Sequence, residues 1–87
     1  MPLQEDFQAA VAQSQQLTQR PSNEELLELY ALFKQGTEGD VSGERPGGFD
    51  FKGIAKYTAW ETKKGMTKEV AQTQYIELMA TLRQKYS

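Results

Sequence analysis

The side chains able to hold or transform a ligand fall into two groups along the chain. Tyr30, Phe33 and Lys34 lie within one helical turn of each other, so a phenol, an aromatic ring and an ammonium group share one neighbourhood. That set suits a nucleotide, because a purine takes a flat stacking surface and its phosphates take hydroxyl or ammonium donors. Taken alone, the triplet also fits the edge of a core. Lys52 and Lys56 stand four residues apart, which puts two like charges on one helix face at a cost of about 0.2–0.5 kcal/mol. A bound polyphosphate would neutralise both, and an ordinary solvated face is the plainer alternative.

Groups that do covalent work are scarce. The chain has no histidine and no cysteine, so the commonest general base, the thiolate nucleophile and any disulfide framework are missing. Ser14, Ser22, Ser42 and Ser87 have no evident base to activate them. Glu24 and Glu25 fall in the first turn of a helix, where negative charge complements the dipole rather than catalysing anything. The expectation is a binding protein, not an enzyme, with no metal and no cofactor.

Eighty-seven residues, 38% of them hydrophobic, make one small domain spanning residues 1–87, with room for one core and one site. Stability for this length scales to roughly 4–13 kcal/mol, which leaves little for a strained active site. The net charge of −2 is unevenly spread. Glu5, Asp6, Glu24, Glu25 and Glu28 face Arg20 alone before residue 31, whereas Arg45, Lys52, Lys56, Lys63, Lys64 and Lys68 outnumber Asp50 and Glu61 in the middle. Lysines concentrated in an acidic protein suit a compact anion; a nucleic-acid binder would be basic overall. No stretch has the apolar length of a signal peptide or of a membrane span, so the expected location is the cytoplasm, with no nucleic-acid partner and no stable membrane insertion.

Four helical segments must position these groups. Phe7, Ala10, Val11, Ser14 and Leu17 make one face of a first helix over about residues 4–17, ended by Arg20-Pro21. Ser22 and Glu25 have the spacing of a capping box, which starts the second helix near Asn23. Leu26, Leu29, Tyr30 and Phe33 form its stripe, widened by Leu27 and Leu32. Gly36, Gly39, Gly43, Gly47, Gly48 and Pro46 make regular structure improbable over about residues 37–49. A loop of this length is expected to be ordered and to form a wall of the site, with Arg45 its only base. Asp50 caps a third helix that runs to about Lys63 before Gly65, and Thr67 caps a fourth that carries Tyr75, Leu78, Met79, Leu82 and Tyr86. The fold class is all-α, a four-helix bundle.

Three stretches, YALFKQGTEGD (30–40), ERPGGFDFKGIAKYTAW (44–60) and YIELM (75–79), resemble the acyl-CoA-binding protein family in order, spacing and length over essentially the whole chain. The resemblance implies an up-down-down-up bundle with a long loop between helices two and three. It also implies that Tyr30 and Lys34 contact the adenosine 3'-phosphate region of a fatty acyl-CoA, that Lys56 serves the phosphates, and that Tyr75 lines the site. Phe33 and Lys52 would be neighbouring contributors, and Ala10, Leu27 and Leu29 candidates for the wall around the acyl chain. Phe33 departs from the usual tyrosine, Tyr57 from a common tryptophan, and Ile54 and Gln15 from frequent lysines, so the headgroup has fewer donors. Trp60, Phe7, Leu17 and Tyr86 are expected to pack rather than bind.

The function so implied is that of an intracellular carrier and pool former for medium- to long-chain acyl-CoA, expected to be a monomer. The competing expectation is a helical protein-interaction module whose apolar groove takes a partner helix.

Overall fold

The computed structural model describes residues 2–86 and holds four helices, α1 (Leu3–Ser14), α2 (Asn23–Glu38), α3 (Phe51–Glu61) and α4 (Lys68–Tyr86), with no strand among the described residues. Three of the helices begin where the sequence supplies an acceptor for the first N–H groups. The Ser22 hydroxyl accepts the Glu25 N–H at 3.1 Å, and the Glu25 carboxylate accepts the Ser22 N–H at 2.8 Å, which completes the capping box. Asp50 accepts from the Gly53 N–H at 3.0 Å and Thr67 from the Val70 N–H at 3.1 Å, so both expected caps form.

Two helix ends differ from the sequence expectation. α1 stops at Ser14, short of Leu17. There the Ser14 hydroxyl donates to the Val11 carbonyl at 2.6 Å, and Gln15 and Gln16 close tighter bonds onto Ala12 and Gln13. The next residues are too polar for packing to sustain another turn, and the Thr18 hydroxyl instead donates to the Tyr86 carbonyl at 2.7 Å. α2 runs past Gly36 to Glu38 and stops at Gly39, whose φ of 84° suits glycine. Gly36 stays helical because it is a contact point: a Cβ there would lie 3.0 Å from Gln72 Cγ and 3.4 Å from the Phe7 ring.

α4 is the shared support, packed against α1 and α2, while α3 packs on α2. Side-chain contacts give the directions. Gln72 near the start of α4 donates to the Gly36 carbonyl late in α2, and Lys85 and Tyr86 at the end of α4 reach Glu25 at the start of α2, so these two helices are antiparallel. α1 runs with α4, since Phe7 meets Tyr75 and Thr18 meets Tyr86. α3 runs with α2, since Lys56 lies over Tyr30 and Trp60 under Lys34. The order is up-down-down-up. Parallel neighbours need a connection that returns the length of a helix, about 24 Å for the 16 residues of α2. Residues 39–50 supply it, at up to about 3.3–3.6 Å each.

Phe7, Ala10, Leu29, Leu32, Ala71, Tyr75, Met79 and Leu82 form the core. Leu32, Met79 and Leu82 are fully buried, so trimming either leucine to alanine costs about 2–5 kcal/mol. A polar knot closes one end of the bundle. Buried Gln35 donates to Asp40 at 2.9 Å and to the Met66 carbonyl at 2.7 Å, and Asp40 also accepts the Gly65 N–H at 2.8 Å. That N–H and the Gln35 amide hold the Asp40 carboxyl below its ordinary pKa.

Candidate functional site

Among the described residues α1 packs its backbone on α4 alone, which leaves an opening between α1 and α2. A groove of about 290 Å³ occupies it, lined by Val11, Ser14 and Leu17 from the α1 side, Leu26, Leu29, Tyr30 and Phe33 from α2, and Tyr75 from α4. Leu29 and Tyr75 are buried and form its floor; the others are half-buried and form its walls. Five of these eight side chains are aliphatic or phenylalanine, so the groove suits an alkyl chain or the face of a flat ring. A second hollow of about 560 Å³ shares Val11 and Phe33 with it and extends toward Phe7, Gly36, Lys68 and Gln72.

Tyr75 is 3% exposed and stands edge-on to Phe7, ring centroids 5.2 Å apart. Burial pushes its phenol pKa up, with the Ser14 hydroxyl opposing in part, so it remains a neutral donor. Phe7 in turn stacks on Phe33 at 6.2 Å, and this pair separates the floor of the groove from the second hollow.

Cations edge the α3 side. The Lys56 ammonium lies 5.4 Å from the centre of the Tyr30 ring, which brings a phenol of the groove wall and a positive charge together. Lys34 lies 4.9 Å above the Trp60 ring and is ion-paired with Glu38 one turn on. Lys52 is exposed on the first turn of α3, one turn before Lys56. The arrangement is an apolar trough with an aromatic wall and ammonium groups at one rim. It can bind a molecule with an alkyl part and an anionic aromatic part.

The structure brings Tyr30, Phe33, Leu29 and Tyr75 together around the groove and sets Lys56 at its rim. It does not bring all the named positions there. Ala10 belongs to the closed core, where it is 4% exposed, and Leu27 is half-buried without bordering the groove. Leu26 does border it, one turn before Tyr30, along with Val11, Ser14 and Leu17. Their i, i+3, i+4 spacing was readable as a helix face; which faces of α1 and α2 stand apart depends on how both sit on α4. Of the positions assigned to packing, Trp60 and Phe7 are buried, whereas Leu17 also lines the groove.

Contrary to expectation, the long loop does not wall this groove. It is strapped to α3 instead. Arg45 donates to Thr58 at 3.0 Å, pairs with Glu61 at 3.5 Å and lies 5.7 Å over the Tyr57 ring. The Tyr57 hydroxyl donates to the Gly43 carbonyl at 3.2 Å, and the Trp60 indole N–H to the Gly39 carbonyl at 2.8 Å. Tyr57 thus secures the loop. Among the described residues no cluster of carboxylates could hold a metal ion, and no helix is long and apolar enough to cross a membrane. Ser87 lies outside the described residues.

A family model described as "Acyl CoA binding protein" matches residues 4–79. The chain belongs to the acyl-CoA-binding protein family. It is 52% identical over 80 residues to Acyl-CoA-binding protein homolog 1 of Caenorhabditis elegans, covering 92% of this chain and 93% of that one. With the Acyl-CoA-binding protein homolog of Drosophila melanogaster it shares 47% over 83 residues, 95% and 96% of the two chains. Solved family structures agree in fold. The crystal structure of Oryza sativa Acyl-CoA-Binding Protein 2 superposes with a TM-score of 0.91 at 38% identity, covering 95% and 92% of the chains. The solution structure of the yeast protein gives 0.70 at 45% identity, covering 97% and 93%. The family's all-α fold is therefore the one expected from the three sequence stretches.

Proposed function

We propose that the protein binds medium- to long-chain fatty acyl-CoA esters and serves as a carrier and pool former for them, with no chemical step of its own. The observation that carries this reading is the apolar groove between α1 and α2 with Tyr30 and Lys56 at its α3 rim. The two ends of an acyl-CoA make opposite demands. Its phosphorylated adenosine takes ammonium and phenol donors, from Lys34, Lys56 and Tyr30 with Lys52 nearby, and the ring of Phe33 as a flat surface. Its alkyl chain takes the trough of Val11, Leu17, Leu26 and Leu29, where each methylene removed from water contributes up to about 0.8 kcal/mol. Tyr75, buried and neutral, offers its hydroxyl at the floor.

A carrier of this kind holds the thioester away from water and from stray nucleophiles until a receiving enzyme takes it. It needs no cofactor, and the reading is of a cytoplasmic monomer. Membership of the family gives no support to the helical interaction module. Isothermal titration of delipidated protein with a long-chain acyl-CoA, a short-chain acyl-CoA, free CoA and the free fatty acid tests the proposal. Tight one-to-one binding of the long thioester, much weaker binding of each fragment and tightening with chain length are expected. No binding of the long thioester would overturn it.

A further inference from the structure

The early end of α1 leaves a hollow beyond the groove. Gln13, Gln16, Leu17 and Thr18 form one side of it and Arg83 and Tyr86, in the last turn of α4, the other, around a volume of about 230 Å³. Leu17 is half-buried and lines both this hollow and the groove between α1 and α2, so the two meet at its side chain. α1 and α2 are antiparallel, which sets Leu17, past the end of α1, by Leu26 near the start of α2. The hollow therefore prolongs the groove at the end away from Phe33 and Lys34, the end to which an alkyl chain points when its headgroup lies at the cationic rim.

The hollow is chemically unlike the trough it continues. No carboxylate lines it, and among the described residues Arg83 has none within ion-pair distance. Glu25 is answered without Arg83, by the Lys85 ammonium at 2.8 Å and the Tyr86 hydroxyl at 2.5 Å. Two helices end here, and bare helix-end carbonyls would repel an anion. Four of those carbonyls are already taken. Ser14 donates to Val11, the Gln15 and Gln16 N–H groups to Ala12 and Gln13, and Thr18 to Tyr86. A cation in the last turn of α4 complements its dipole wherever it points, and Lys85 does so as well as Arg83. A guanidinium set at the end of an apolar groove offers something further, a planar fork of N–H donors that matches a carboxylate.

We propose that the hollow at Arg83 receives the far end of acyl chains that terminate in a carboxylate, so that the protein carries the thioesters of dicarboxylic acids as well as methyl-ended ones. The inference rests on the acyl-CoA reading of the groove. A terminal carboxylate left in an aliphatic trough would be an unpaired charge and strongly disfavoured. Past Leu17 it meets the Arg83 guanidinium, with the Gln13 and Gln16 amides beside it. Arg83 is exposed, so the pair stays hydrated, its contribution is modest, and methyl-ended chains are not penalised by it. The contact depends on reach: a chain too short to pass Leu17 gains nothing from Arg83.

Titration calorimetry of the unaltered protein and of Arg83→Gln tests it, with hexadecanoyl-CoA and the CoA monothioester of hexadecanedioic acid, and with shorter and longer members of both series. The unaltered protein is expected to bind the carboxylate-ended thioester in the same range as the methyl-ended one. Arg83→Gln is expected to bind the carboxylate-ended thioester about fivefold more weakly, less so at high salt, and the methyl-ended one unchanged. The loss should appear only for chains above a threshold length, which a merely structural role for Arg83 would not produce. Arg83 is exposed, so the variant should keep the circular dichroism of the unaltered protein. An equal loss for both ligands, a loss independent of chain length, or no loss at any length would overturn the proposal. Rejection of every carboxylate-ended thioester by an unaltered protein that binds hexadecanoyl-CoA would overturn it too, and would leave the carrier reading standing. Binding of neither kind of thioester would count against the carrier reading itself, and the proposal would fall with it.

Discussion

Lys34 illustrates how one side chain is shared among competing partners. Its ammonium rests over Trp60 and is ion-paired with Glu38, so on the proposed reading a ligand phosphate would have to replace a carboxylate that is already in place. Glu38 is half exposed, which limits such a pair to about 0–1 kcal/mol, but the whole of that amount opposes ligand binding. Replacing Glu38 with Gln is therefore expected to tighten acyl-CoA binding by about twofold to fivefold, with no gain for the free fatty acid, which has no phosphate. Titration calorimetry of both ligands decides it; weaker acyl-CoA binding in the variant would show that Glu38 positions Lys34 rather than competing for it. Lys56 has no such competitor among the described residues and lies directly at the Tyr30 ring. Replacement of Lys56 by Ala is expected to weaken acyl-CoA binding by about 1.5–3 kcal/mol, the usual contribution of a charged hydrogen bond, and to flatten its salt dependence. An unchanged dissociation constant would remove Lys56 from the site.

At the scale of the elements, what could be read in advance was what local chemistry determines. Ser22 with Glu25, Asp50 and Thr67 each cap the helix their sequence positions announce, because a cap needs only neighbours three residues away. The errors came where distant contacts decide. The irregular stretch was expected from about residue 37, yet α2 runs on to Glu38, with Gln72 and Phe7 packed where Gly36 has no side chain; Leu17 reads as helical, yet α1 ends sooner as Thr18 is drawn to α4. The same holds for the site. Tyr30, Phe33 and Tyr75 were legible from the motif, whereas Val11, Ser14 and Leu26 become groove walls only through the gap between α1 and α2. The knot at Gln35 is another long-range feature, bridging α2, the loop and the turn before α4. Gln35→Leu would remove the donor to the Met66 carbonyl and one of the two donors to Asp40, which is itself exposed and keeps the Gly65 N–H. A loss of about 1–2 kcal/mol in urea unfolding is expected, with the transition still cooperative. A loss under about 0.5 kcal/mol would mean that the knot is decorative.

The whole molecule has a floor and two flanks that touch chiefly through α4, and this makes its stability depend on what joins the flanks. One such joint is electrostatic. Lys85, then the Tyr86 hydroxyl and the Ser22 N–H, hold the Glu25 carboxyl down to about 2, well below its ordinary value of 4.5. A depressed carboxylate stabilises the fold wherever it is ionised in both states, so the contribution is complete above about pH 4.5 and disappears as pH falls toward 2. Glu25→Gln should thus melt below the unaltered protein at pH 7, and the two melting curves should converge near pH 2. A gap that persists at low pH would assign the effect to lost packing. The other joint is the ligand. On the proposed reading, an acyl chain laid between α1 and α2 would touch both flanks and the Tyr75 floor at once, and would bind only where the three are assembled. At a free concentration 100 times its dissociation constant it would add about 2.7 kcal/mol to the folded state. For a chain of this size that raises the melting temperature by roughly 10–20 °C. Free CoA and free fatty acid, each reaching only part of the groove and its rim, should raise it far less at the same concentration. Equal shifts from free fatty acid and from the thioester would mean that the trough alone does the binding and that the cationic rim of Lys34 and Lys56 serves another ligand.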